Sequence, residues 1–206
     1  MESYTVNQAA LRGRAAGPAG PSHVNHGVTY FLFPLEVERL SGATDTLNVV
    51  VSEEMLAACP ILPGEGYQVT GEIRSFNNRS GVGSRLVITF FAKTLAPAQG
   101  SHENHLELVG VLCRAPTLRR TPLGREICDL LLAVNRRYGR ADYLPCITWG
   151  ALARSCGELE IGDTVHLTGR LQSRKYRKVQ GDREEERTAF EISVLSLEPV
   201  GSQTSA

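Results

Sequence analysis

Apolar and polar residues alternate through the second half of the chain in short runs that are typical of β-strands. The predicted strands are carried by Leu106, Leu108 and Cys113, by Ile127–Val134, by Asp142–Trp149, by Thr164–Arg174 and by Thr188–Leu197. Successive side chains of a strand point to opposite faces, so each run fits a sheet with one buried face. A helix of one or two turns is predicted at Ala151–Gly157, between the third and fourth strands. Five short strands with a helix in that place predict an OB-fold, a partly open five-stranded barrel.

The chain also matches itself when it is displaced by about 97 residues, and the matching residues keep their order. The pairs at an offset of 97 include Asn7/Asn104, Leu11/Leu108, Gly13/Gly110, Val37/Val134, Arg39/Arg136, Asp45/Asp142, Leu47/Leu144 and Cys59/Cys156. Such a repeat predicts two copies of one domain. We therefore expect an all-β chain of two tandem OB-folds, at residues 1–99 and 103–200, with a short tail at 201–206. In the first copy, the Gly- and Pro-rich stretch Arg12–Gly27 predicts a long loop after the first strand.

The charge balance limits how such a chain can bind a partner. It has 22 basic and 22 acidic residues, so its formal net charge is zero, which argues against binding through bulk charge alone. Lysine occurs only at Lys93, Lys175 and Lys178, so the other 19 of the 22 cations are arginines, which suit phosphate forks and flat rings. The five cysteines have no CxxC spacing and are expected to be reduced and packed as small apolar side chains.

One face of the third strand of the second copy is aromatic. Alternation places Leu144, Cys146 and Thr148 on one face, where they can fill a barrel. The other face carries Tyr143, Pro145, Ile147 and Trp149. We expect the second set to form an outward stripe on which nucleic-acid bases could stack.

Four segments of the second copy resemble the bacterial single-stranded DNA-binding protein family. They are Asn104–Gly110 with Pro116 after it, Leu132–Arg136, Trp149–Ala153 and Gly169–Tyr176, and they follow one another at the family's spacing. The resemblance implies a non-catalytic protein that binds single strands by stacking bases on rings in a basic groove, in DNA replication, recombination or repair. The family's stacking positions fall on Tyr138, Tyr143, Trp149 and Tyr176. The basic residues expected beside them are Arg119, Arg120, Arg125, Arg136, Arg137, Arg140, Arg174, Lys175, Arg177 and Lys178.

The first copy lacks aromatic residues at these positions. Ser41, Thr46 and Ser52 stand where the second copy has Tyr138, Tyr143 and Trp149, and Tyr176 falls near Asn78, with Phe76 two residues away. We therefore expect the first copy to serve as a scaffold for assembly, or at most to contact phosphates through Arg39, Arg74, Arg79 and Arg85. Because the family usually works with four OB-folds from four chains, two OB-folds in one chain suggest a homodimer. The family's acidic, aromatic-ended tail is absent here, so we do not expect partners to be recruited through such a tail. Tail-less relatives such as the primosomal replication protein N are similar in this respect.

Other functions receive less support. His23/His26 and His102/His105 have an HxxH spacing but no third ligand residue at metal-site spacing, and no catalytic motif is present. We therefore expect no enzyme activity, no cofactor and no metal site. The sequence has no signal peptide or membrane-spanning run, so a cytoplasmic location is expected. Two alternatives stay open. One is a protein-interaction adaptor of a replication or mobile-element complex with little affinity for DNA, and the other is a single-stranded RNA binder.

Overall fold

The first copy folds into six strands and one short helix. The structure is a computed structural model that describes residues 5–78, 84–136, 139–180 and 183–201, without the side chains of 178–180 and 183–185. The elements of the first copy are β1 (Asn7–Ala15), β2 (Gly20–Asn25), β3 (Val28–Glu38), β4 (Thr44–Ser52), α1 (Glu53–Ala58), β5 (Gly66–Asn77) and β6 (Leu86–Pro97). The predicted loop Arg12–Gly27 is therefore wrong in part, because it contains β2. That strand forms a hairpin with β3 through His26 and Gly27, whose φ values of 49° and 79° suit a tight two-residue turn.

The second copy repeats this order of elements. They are β7 (Glu103–Leu112), β8 (Thr117–Arg120), β9 (Glu126–Asn135), β10 (Ala141–Trp149), α2 (Gly150–Cys156), β11 (Thr164–Gln180) and β12 (Arg183–Pro199). The five strands and the helix predicted from the sequence are confirmed, except that Cys113 lies just beyond the first of these strands. β11 and β12 are longer than predicted because they continue into an extended hairpin, and β8 is an additional short strand.

Both copies have the same sheet topology, which confirms the prediction of tandem OB-folds. The strand order is β2-β3-β4-β6-β5-β1 in the first copy and β7-β11-β12-β10-β9-β8 in the second. In each copy one parallel contact, β4 with β6 or β10 with β12, is combined with antiparallel pairs. In addition, β1 pairs with β3 in the first copy and β7 pairs with β9 in the second. These pairings close each sheet into a barrel.

Repeated glycines mark the places where strands approach closely. A Cβ on Gly110 would lie 2.7 Å from the carbonyl oxygen of Ala133, and a Cβ on Gly13 would overlap that of Glu36. Contacts this short are not tolerated, so only glycine fits at either position of this repeat pair. The repeat detected in the sequence therefore reflects the requirement for barrel closure in both copies.

The cores lie between the inward faces of the strands. In the first copy Phe33, Leu35, Leu47, Val49, Val69, Ile73 and Phe90 have no exposed surface. In the second copy the same is true of Leu108, Leu132, Leu144, Leu167 and Ile192. The part of the chain that the structure describes contains no helix that is both long and apolar enough to span a membrane.

Four of the five cysteines pack inside the fold, and Cys113 is exposed. Burial raises the pKa of the Cys128 thiol to about 11, so this side chain is a neutral, small apolar group near neutral pH. The expectation of buried thiols therefore fails only at Cys113, which lies just beyond β7.

The compact units of the structure differ from the two sequence copies. One unit comprises Met1–Asn7, Leu106–Arg170 and Glu191–Ala206, and the other comprises Gln8–His105 together with Leu171–Phe190. The hairpin formed by the ends of β11 and β12 therefore packs with the first copy, although it belongs to the second in sequence.

Within that unit, Asp45 of the first copy holds the hairpin at Ser173. The carboxylate of Asp45 has no exposed surface, and it accepts hydrogen bonds from Arg39 Nε at 2.7 Å and Nη2 at 2.6 Å. It also accepts hydrogen bonds from the backbone N–H of Ser173 at 2.7 Å and from its hydroxyl at 2.9 Å. Arg39 Nη2 in turn donates to the carbonyl oxygen of Ser173 at 3.1 Å. Both carboxylate oxygens of Asp45 therefore accept hydrogen bonds, which a buried charge requires.

Candidate nucleic-acid interface

Two rings of β10 are exposed on the outward face of the second copy. The side chains of Tyr143 and Trp149 are 48% and 41% exposed, whereas Leu144, Cys146 and Thr148 are buried, as the alternation predicts. The prediction that this whole face of β10 is exposed is wrong at Ile147, which is only 6% exposed. The exposed surface therefore consists of two separate aromatic positions near the two ends of β10.

The register of the sheet places an arginine on the same face as Trp149. Trp149 is opposite Ile127 on β9, and Ile127 is opposite Arg119 on β8. Residues directly opposite one another share a face, and neighbouring strands are separated by about 4.8 Å, so Arg119 lies two strands, or about 10 Å, from Trp149. Trp149 and Arg119 therefore lie on one face of the second copy.

Carboxylates lie beside several of the predicted basic residues. Arg119 donates from Nε and Nη2 to Asp129 at 2.5 and 3.1 Å, and this hydrogen bonding raises the pKa of the guanidinium. Arg120 pairs with Glu126 at 3.3 Å. Glu126 also binds Arg154, and that hydrogen bond is the main cause that lowers the pKa of Glu126. The guanidiniums of Arg119 and Arg120 are solvent-exposed, so their ion pairs contribute little to stability. Either guanidinium can therefore leave its carboxylate and bind a phosphate instead.

Arg136 has a structural role in the barrel. It binds the carboxylate of Asp142, which has no exposed surface, in the same way as Arg39 binds Asp45 in the first copy. The repeated Arg–Asp pair is therefore a feature of the fold in both copies rather than a mark of the binding surface. A guanidinium that neutralises a buried carboxylate cannot be transferred to a phosphate without leaving that charge unpaired.

The remaining predicted residues of the loops are partly outside the described structure. Arg125 and Arg140 are exposed, and no carboxylate of the described residues lies within ion-pair distance of either guanidinium. Arg137 and Tyr138 lie outside the described residues, as does Arg79 in the first copy. Among the described loop residues of the predicted set, Arg125 and Arg140 are therefore available to phosphates without the loss of an ion pair.

The hairpin residues form a second group, in the other compact unit. Tyr176 is partly exposed, and the guanidinium of Arg174 lies 6.0 Å from the centre of its ring, a cation–π contact. Lys175 pairs with Glu186 at 3.1 Å, and Arg177 is exposed. The side chain of Lys178 lies outside the described residues. The predicted site is therefore divided between the unit with Tyr143 and Trp149 and the unit with Tyr176.

Trp149 occupies a position that the first copy uses to cap a helix. Ser52 is the N-cap of α1, and its hydroxyl accepts a hydrogen bond from the N–H of Met55 at 3.2 Å. Trp149 is the N-cap of α2 and makes no such bond. A polar side chain at an N-cap stabilises a helix by about 1 kcal/mol. Because the N-cap of α2 is Trp149, α2 lacks this stabilisation and an exposed ring stands at the position instead.

Sequence reasoning missed a group of rings in the first copy. The family positions Ser41, Thr46 and Ser52 are not aromatic, but His23, Tyr30 and Phe91 lie close together on neighbouring strands. The signal was present, because Phe33 and Leu35 point into the barrel, and period-two alternation then places Tyr30 outward.

An OB-fold with exposed rings and arginines on the face of its second and third strands defines an oligonucleotide-binding class of domain. Residues 103–200 match the model of the Single-strand binding protein family. The second copy of the chain is therefore similar to the Single-strand binding protein family over these residues.

Individual relatives carry the same family name. The chain is similar to a single-stranded DNA-binding protein of Halalkalibacterium halodurans, with 36% identity over 108 residues, which are 49% of this chain and 64% of the relative. It is also similar to single-stranded DNA-binding protein A of Bacillus subtilis, with 37% identity over 103 residues, 47% of this chain and 60% of the relative. The chain thus spans less than two thirds of these relatives.

The whole chain has the fold of a solved two-domain structure. Wild-type single-stranded DNA binding protein from Thermus aquaticus matches it with a TM-score of 0.78 and 23% identity, over 99% of this chain and 97% of that chain. A deletion mutant of the same Thermus aquaticus protein matches with a TM-score of 0.76, over 97% and 96% of the two chains. At this level of identity the likeness establishes the fold of both copies.

Proposed function

We propose that this chain is a non-catalytic single-stranded DNA-binding protein with little dependence on base sequence. The observation that carries the proposal is the exposure of Tyr143 and Trp149 on a face that also carries Arg119, in a copy that matches the model of the Single-strand binding protein family. Stacking on a ring requires only the flat face that every base has, so such a surface tolerates any sequence.

In this proposal rings and cations have different roles. Each stacked base contributes about 1–3 kcal/mol, which makes Tyr143, Trp149 and Tyr176 the main source of affinity. Arg119, Arg120, Arg125, Arg140, Arg174, Lys175 and Arg177 contact phosphates. Arg136 acts as a positioning residue through its ion pair with Asp142. Because bulk charge is absent, the affinity depends on these local groups.

The first copy, residues 1–99, acts in part as a scaffold for the second, residues 103–200. The contacts of Asp45 and Arg39 with Ser173 support this role, because they hold the hairpin three residues before Tyr176. The first copy would thereby fix the position of a ring that belongs to the DNA-binding copy.

Fluorescence of Trp149 tests the proposal directly, because it is the only tryptophan. Oligo-dT is expected to quench its emission at low salt, since a stacked base covers the ring. Emission should recover as salt is added, and the logarithm of affinity should fall with a slope of about −0.7 for each phosphate contacted. Unchanged emission in a folded protein would contradict the proposal and favour a protein-interaction adaptor. Tighter binding of oligo-U than of oligo-dT would indicate an RNA ligand.

We further propose that the chain forms a homodimer, because two chains would supply four OB-folds. Light scattering after size exclusion should then give a mass of about twice that of one chain at micromolar concentration. A single-chain mass that persists at higher concentration would show that two OB-folds are sufficient.

A further inference from the structure

Three rings lie next to one another on the outward face of the first copy, away from the family's stacking positions. His23 on β2 is opposite Tyr30 on β3, and their rings stack with centroids 4.9 Å apart and planes 13° apart. The ring of Tyr30 also contacts that of Phe91 on β6, with centroids 5.4 Å apart. His23 is exposed and the other two rings are partly exposed. This His23–Tyr30–Phe91 cluster is therefore accessible from solvent.

The register shows how the cluster is related to the surface of the second copy. Tyr30 is opposite Ser52, the residue at the position of Trp149. Phe91 is paired with Val50, just as Ser193 is paired with Ile147 in the second copy. Tyr30 and Phe91 are thus on the face of the barrel that corresponds to the Trp149 face of the second copy, but they lie on β3 and β6, the two strands that flank β4, instead of on β4 itself.

Basic groups adjoin the cluster. The guanidinium of Arg74 lies 5.9 Å from the centre of the Phe91 ring. Glu72, directly opposite Phe91, pairs with both Arg74 and Lys93, so two cationic side chains lie beside the cluster. Phe76 follows two residues after Arg74 on β5 and is 54% exposed. A single strand has the complementary chemistry, because its bases can cover rings while its phosphates bind cationic side chains.

The location of the cluster agrees with the general use of this fold. OB-folds bind oligonucleotides on the face of the second and third barrel strands, between the loop after the first strand and the hairpin of the last two. In the first copy these barrel strands are β3 and β4. His23 lies in the insertion after β1, and Arg74 and Phe76 lie on the hairpin of β5 and β6.

We propose that the His23–Tyr30–Phe91 cluster is a second base-stacking site for single-stranded DNA, with Arg74 and Lys93 as its phosphate contacts. The inference takes its ligand from the function proposed above, but it assigns binding to residues of the first copy that replace the missing platform.

The test measures binding of fluorescein-labelled oligo-dT by anisotropy at low salt, with the full chain. In the background Tyr143→Ala/Trp149→Ala, measurable binding should persist. Adding Tyr30→Ala and Phe91→Leu should weaken that residual binding by about fivefold to a hundredfold, the effect of losing one stacked base. Leu40→Ala, which truncates a fully exposed apolar side chain in the turn between β3 and β4, is the matched control and should leave it unchanged.

A second variant keeps the test decisive if Phe91→Leu lowers the melting temperature. Arg74→Gln in the same background should reduce the salt dependence by about 0.7, as for the loss of one phosphate contact. Loss of all binding in the folded Tyr143→Ala/Trp149→Ala background would overturn the inference and leave the proposed function intact. An unchanged affinity after Tyr30→Ala/Phe91→Leu would also overturn it. A wild-type chain that binds no oligonucleotide would instead reject the proposed function itself.

Discussion

Replacing Trp149 by Ala is expected to weaken binding of oligo-dT at low salt by about 1–3 kcal/mol, the free energy of stacking one base on a ring. The ring is 41% exposed at the end of β10, and a base stacked there would cover apolar surface that otherwise faces water. Since the chain has no net charge to compensate, the loss should appear directly in the dissociation constant. Anisotropy of a labelled oligonucleotide measures it, because the variant has no tryptophan fluorescence.

Ser52→Ala is the matched control, at the same position of the other copy. It should leave affinity for DNA unchanged and lower the free energy of unfolding by about 1 kcal/mol, because the N–H of Met55 loses its acceptor. Trp149→Ser should bind as weakly as Trp149→Ala but be the more stable of the two by a similar amount, since serine can cap α2. Equal losses of affinity in Trp149→Ala and Ser52→Ala would contradict the assignment of stacking to this ring.

These two positions show what a sequence pattern can and cannot predict. Alternation along β10 identified the inward residues Leu144, Cys146 and Thr148, because the period of a strand is fixed by backbone geometry. The same alternation placed Ile147 on the outward face, yet it is buried. Exposure depends on which side chains of neighbouring strands cover a residue, and period-two reasoning within one strand does not contain that information.

The same limitation explains why the sequence did not predict the ion pair of Arg119 in the second copy or the exposed rings of the first copy. The sequence grouped Arg119 with the binding surface but not Asp129, its partner across the hairpin, because ion pairing between strands depends on register. It compared Ser52 with Trp149 position by position and therefore did not detect that Tyr30, on the adjacent strand, faces the same surface. A repeat identifies equivalent positions in a fold, whereas a binding surface is shared among neighbouring strands and can be rebuilt from non-equivalent ones.

Replacing Asp45 by Asn is expected to destabilise the chain by about 3–5 kcal/mol, because it leaves the guanidinium of Arg39 without its buried counter-charge. It also weakens the two hydrogen bonds from Ser173, so the hairpin of β11 and β12 should open more often. Urea denaturation measures the first effect, and hydrogen exchange of the amides in Leu171–Phe190 measures the second. Asp129→Asn is the control, because its ion pair with Arg119 is exposed and should contribute less than about 1 kcal/mol.

The pH dependence of this difference tests whether the carboxylate charge is the cause. Burial raises the pKa of Asp45, but the hydrogen bonds from Arg39 and Ser173 outweigh burial and lower the pKa below its ordinary value. A carboxyl group with a lowered pKa in the folded state stabilises that state above its unfolded pKa of about 3.9. This stabilisation is lost as the pH falls through the folded-state pKa. The gap in stability between the wild-type chain and Asp45→Asn should therefore be full at neutral pH and shrink as the solution is acidified below pH 4 or so. A gap that stays constant over that range would mean that Asp45 acts through its shape and hydrogen bonds and not through its charge.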